Sequence, residues 1–225
     1  MVSEEQLNNI FAEVGKEYGF DKVQAEFMAF KEFKVRWQRT YKWADFKVSD
    51  YLEDAPEGVL RGLCRSLFSR IMGTGTEDYS QEMCDWVTAP EFAENKQATY
   101  IRRTRNTTRS PVGKFKDLND SYRRLIDMGL IENDPVIKLS WTKDSSKKVG
   151  SCSVLMKSIT MSSILDSDMI PDYVLDYCLY HELCHIIVGF DPSGDGHSTD
   201  LAAIEAKFPR QKDAESWIDK LYAII

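Results

Sequence analysis

Residues 171–189 read Pro171-Asp-Tyr-Val-Leu-Asp-Tyr-Cys-Leu-Tyr180-His-Glu-Leu-Cys-His185-Ile-Ile-Val-Gly189, and this stretch decides the fold. Pro171 suits a first helical turn, where its missing N–H costs nothing, and Gly189 suits a C-terminal stop. Between them, Val174, Leu175, Cys178, Leu179, Leu183, Ile186, Ile187 and Val188 cover most of a helix circumference. A helix apolar on nearly every side is a central, buried one. Inside it lies His181-Glu182-Leu183-Cys184-His185, the pattern His-Glu-x-x-His. Residues four apart on a helix are separated by about 40° around the axis and one turn along it, so both imidazoles can reach one cation. Zn²⁺ accepts imidazole nitrogen, prefers four ligands, and in catalytic sites keeps one position for water. Glu182 is then placed as the general base.

A hydrolytic zinc site of this kind takes a third protein ligand. His197 is the expected one, because Gly189, Gly194 and Gly196 let the loop bring it back toward the helix. Glu205, from the helical stretch after that loop, is the rival. If His197 opens that stretch, Glu205 lies about 12 Å further along it, so the two cannot serve one ion. The chain has only three histidines, and the ligand set His181, His185 and His197 uses all of them.

Outward from the motif, 117–129 has helical spacing with Gly129 as the stop, and Val136 to Thr142 alternates as a half-buried strand. Two more strands follow, over Val149–Leu155 and Lys157–Ser162. Short turns between them predict a small, mostly antiparallel sheet. Beyond the Asp- and Gly-rich loop, Pro209 divides the remaining helical sequence, with a last helix from Asp213. The N-terminal half reads as a helix-rich, faded copy of this plan. Leu7-Asn8-Asn9 parallels Leu118-Asn119-Asp120, Lys34–Trp37 parallels Lys138–Trp141, and Phe46–Ser49 parallels Ile159–Ser162. Pro56, Val59 and Leu60 fall against Pro171, Val174 and Leu175, which sets Ser66, Leu67 and Arg70 opposite His181, Glu182 and His185. The expected organisation is an α+β protein: a degenerate repeat over 1–100, a basic linker over 101–116, and the metal-binding domain over 117–225.

Composition narrows the function classes. The chain has 225 residues, 43% hydrophobic, with net charge −7, which excludes a disordered or low-complexity protein. No apolar run approaches the ~20 residues of a membrane span. The acidic, polar start resembles no signal or transit peptide, so the expected location is the cytoplasm. Five cysteines without Cys-x-x-Cys spacing argue against a disulfide framework. Two basic stretches, 101–116 and Lys31–Lys47 with its interleaved Trp37, Tyr41 and Trp43, would suit a nucleic-acid backbone. The negative net charge argues the other way.

From about Leu118 to Leu221 the chain resembles the zincin metallopeptidases of the SprT-like and YgjP-like groups. The resemblance rests on the Leu-Asn helix, the strand with Trp141, Gly150, the strand ending in Ser162, Tyr180-His-Glu-Leu-Cys-His185, the later His197, and Phe208-Pro209 with Trp217. His197 is followed by Ser198 where those proteins commonly have Gly. The resemblance implies a zincin-like fold in which an edge strand pairs with an extended peptide substrate. It also implies His181, His185 and His197 as zinc ligands and Glu182 as general base. The motif fixes the water and not the substrate, so a zinc hydrolase acting on a nucleotide-type molecule stays open. So does a zinc-stabilised interaction module without turnover.

Overall fold

A computed structural model describes residues 1–75, 79–144, 148–192 and 199–222. The chain is an α+β protein of two compact units that meet between Phe92 and Ala93. Among the described residues no helix is long and apolar enough to cross a membrane.

The first unit opens with α1 (Glu4–Glu17), started by a capping box in which Ser3 and Gln6 satisfy each other's backbone N–H groups. Three strands follow, β1 (Lys22–Met28), β2 (Val35–Arg39) and β3 (Trp43–Ser49), then a 3₁₀ turn (Asp50–Leu52) and α2 (Glu57–Met72) behind Pro56. Helix α3 (Gln81–Thr88) closes the unit. Its core is aromatic: Phe46 packs on Phe11 and Phe68 with ring centroids 5.0 and 5.2 Å apart.

Helix α4 (Pro90–Arg103) leads into the second unit. There α5 (Leu118–Asp127) precedes β4 (Lys138–Trp141), β5 (Gly150–Ser153) and β6 (Ser158–Met161). A 3₁₀ turn (Ser163–Leu165), α6 (Asp172–Val188) behind Pro171, α7 (Thr199–Glu205) and α8 (Gln211–Tyr222) complete it. Trp141, Ile159 and Met161 from the sheet meet Leu175, Leu179 and Leu183 from α6 in one core. Asp176 is buried on α6 and takes both a bidentate Arg124 pair and the Ser121 hydroxyl from α5, so its charge is compensated where water is excluded.

The two units repeat one topology. In each sheet the third strand lies in the middle, parallel to the first and antiparallel to the second, in the orders β1-β3-β2 and β4-β6-β5. Both sheets are therefore mixed, which corrects the mostly antiparallel sheet expected from short connections. Among the described residues only β5–β6 and β2–β3 are hairpins; each hairpin folds its second strand back into the middle of the sheet. The N-terminal half also holds a full three-stranded sheet and is not simply helix-rich.

Backbone pairing fixes the correspondence between units. Ser49 N–H donates to Lys34 C=O, and Ser162 N–H donates to Val149 C=O. Lys34 thus matches Val149, and Val35–Arg39 matches the strand starting at Gly150. Lys34–Trp37 is consequently the counterpart of β5 and not of Lys138–Trp141, which corresponds to β1. The shared Lys and Trp had suggested a match between strands on opposite sides of the sheet.

The basic stretch 101–116 is built into the second unit. Its first residues finish α4, and the backbone N–H groups of Lys114, Phe115 and Lys116 all donate to the Asp166 carboxylate.

Candidate metal centre

Helix α6 carries His181 and His185 half-buried on one face, with ring centroids 5.0 Å apart and planes at 87°. Glu182 between them is buried, 7% exposed. Its carboxylate lies against β5. A Cβ placed on Gly150 would stand 2.7 Å from Glu182 Oε1, closer than real contacts allow. A side chain at the start of β5 would fit only if the Glu182 carboxylate gave way. Burial holds the Glu182 pKa above the usual carboxylate value, while the charges of His181 and Lys148 and the Cys152 thiol pull it down without reversing the shift. Burial and the same carboxylate push the Cys152 thiol up to about 12.

Glu205, at the end of α7, accepts from the ring of His181, with Oε1 2.9 Å from Nδ1. It also accepts from the Tyr177 hydroxyl at 2.6 Å, and Tyr177 lies 3.0 Å from Glu215 on α8. A proton on Nδ1 leaves the lone pair of the neutral ring on Nε2. A carboxylate on that proton fixes tautomer and ring orientation, as outer partners of metal-binding histidines do. Glu205 therefore sits as an orienting group behind His181. His197 lies outside the described residues.

Two other tyrosines of α6 also have partners. Tyr180 is fully buried and donates to Ile204 C=O, and Arg210 stacks on the Tyr173 ring at 3.5 Å. Cys184 is buried in the core, its thiol raised to about 12 by burial. In the basic stretches, Lys116 pairs with Asp172, Lys34 with Glu32 and Lys42 with Asp21.

At the corresponding place in the first unit the histidines and the carboxylate are gone. Counting from Pro56 and Pro171, α2 has buried Ser66, half-buried Leu67 and exposed Arg70 at the positions of His181, Glu182 and His185. The strand match puts Val35 where Gly150 stands. The carboxylate and the glycine that makes room for it are replaced together, by two apolar side chains.

Among the described residues no group of three or more His, Cys, Asp or Glu is arranged to hold a metal ion. The donor set present is two imidazoles on one helix face, one with its Nδ1 held by a carboxylate. A buried carboxylate lies between them in sequence, in a space kept open by glycine. This set fits a zinc ion that takes its remaining ligand from outside the described residues. Comparison with protein-family models, with curated proteins and with solved structures finds no match for the chain.

Proposed function

We propose that the second unit is a zincin-type metallopeptidase domain, related to the SprT-like and YgjP-like enzymes, acting on protein or peptide substrates. His181, His185 and His197 would hold the zinc ion. When bound, the ion would supply Lewis acidity toward water and the substrate carbonyl. Glu182 takes a proton from the attacking water and passes it to the leaving amine, a role suited by a carboxylate whose proton affinity burial raises. Glu205, backed by Tyr177, holds the His181 ring. β5 is an edge strand of its sheet, and an extended peptide added to its outer side would run past Glu182. The first unit is read as a duplicated copy of this domain that has lost its site.

The observation that carries the reading is the fit between Glu182 and Gly150 beside the histidine pair. A packing role alone explains neither a buried carboxylate there nor the joint replacement of both residues in the first unit. The test is cleavage of an unfolded protein by the zinc-loaded chain and by Glu182→Gln. Loss of at least about 100-fold in rate with zinc retained supports the reading. Equal cleavage by both proteins, or none by either, contradicts it.

A further inference from the structure

The second unit carries a cleft of about 440 Å³ that shares no lining residue with the histidine site. It lies along β4, and its chemistry follows from strand geometry. Trp141, Ile159 and Met161 point into the core toward α6, so the alternate residues Ser140, Ser158 and Thr160 project from the other face of the sheet. All three line the cleft. Ser158 is 8% exposed, and its hydroxyl has no hydrogen-bond partner among the described residues.

The backbone adds a second recognition element. Lys138 N–H donates to Lys157 C=O and Thr142 N–H to Met161 C=O, so these residues face β6. Trp141 has the opposite phase: its N–H donates to Thr108 Oγ1 and its C=O accepts from Thr108 N–H. Leu139 shares that phase, so its N–H and C=O point outward, and Leu139 also lines the cleft. They form an adjacent donor–acceptor pair.

Charge completes the site. Arg109 and Lys138 line the cleft, and neither has an ion-pair partner among the described residues. The acidic liner Asp134 is paired with Lys157 at 2.7 Å. Arg109 is held in the left-handed region at φ 59°, a conformation costly for a residue with a side chain. Its guanidinium is anchored to Arg102 C=O.

We propose that this cleft binds a small organic anion, its charged group between Arg109 and Lys138 and its polar body on Ser158 and the outward backbone of Leu139. The shared chemistry is an anionic group on a body with its own donors and acceptors, supplied by an organic phosphate or by the free carboxylate of a short peptide. The site stands independently of the peptidase reading.

The test is calorimetric titration of the full chain with adenosine monophosphate, ribose 5-phosphate, inorganic phosphate and a tripeptide with a free C-terminus. Saturable binding of an organic phosphate or of the tripeptide is expected, and which one binds identifies the source. Arg109→Gly removes the guanidinium while relieving the backbone. It and Lys138→Gln should each weaken that binding about tenfold, the ordinary loss of a charge-assisted hydrogen bond. Glu182→Gln should leave it unchanged, whatever becomes of proteolysis. Absence of binding by all four probes would overturn the proposal. So would affinities unaltered in both cleft variants, or inorganic phosphate binding as tightly as the organic anions.

Discussion

Glu182 and Gly150 are 32 positions apart in the chain (182 − 150), and the carboxylate of one lies against the backbone of the other. The motif around Glu182 was legible because helical geometry is local: four residues make one turn, whatever surrounds the helix. Gly150 was legible only as a family likeness, since its reason lies in the packing of β5 on α6. Glu205 was read as a rival ligand because spacing along a helix cannot say which imidazole nitrogen a carboxylate meets. Two outcomes follow at this scale. Gly150→Ala should push the Glu182 carboxylate out of place, costing about 1–3 kcal/mol by overpacking. Peptidase activity should fall in that variant while zinc content stays the same, measured by denaturant melts and metal analysis. Glu205→Gln keeps the volume but weakens the hold on His181, and should lower zinc affinity about 10–100-fold in competition with a chelator.

The elements show where local pattern stops informing. The strands over 138–141, 150–153 and 158–161 and the helix over 172–188 fell inside the predicted ranges, because alternation and helical spacing are properties of the segment itself. Strand order is not. The same three strands joined by short turns would serve a meander, and only the middle position of β6 makes the sheet mixed. β1 went unread because its buried residues Val23 and Ala25 are small, and its exposed ones, Met28 apart, are charged or polar. Helix pairing supplies a test here. Arg124→Ala would leave the buried Asp176 with the Ser121 hydroxyl as its remaining partner among the described residues, and should cost about 2–4 kcal/mol in urea unfolding, discounted for the partly exposed arginine. Asp134 reports on the loop entering β4. Burial raises its pKa, but the Lys157 pair and the Val136 N–H outweigh that and leave it below the ordinary value. A carboxylate depressed in the folded state stabilises above its unfolded pKa, and that stabilisation is lost as pH falls through the lower folded value. Asp134→Asn should therefore lower stability at neutral pH by less than about 1 kcal/mol, since the pair is partly exposed. The difference from wild type should shrink as pH falls below the ordinary carboxylate range and vanish once Asp134 is protonated in the folded state as well.

At the scale of the molecule, two units with the same strand order and the same helix placement differ in what one helix presents. The sequence carried enough of the repeat for its helices and third strands to be matched, and misaligned it at β2. Each unit has its own buried core, and ~90 residues suffice for an independent domain. Residues 1–92 expressed alone should melt cooperatively, at a temperature that zinc does not change. Zinc should raise the melting of the full chain's second transition, by about 4 kcal/mol at a thousandfold excess over Kd. The metal centre is tested most directly by an anomalous difference map of the crystallised chain collected at the zinc edge. One peak is expected, bonded to His181 and His185 on α6 and to His197, with none beside Ser66 and Arg70. Crystals grown with zinc that show no peak at α6, or a peak held by other residues, would contradict it.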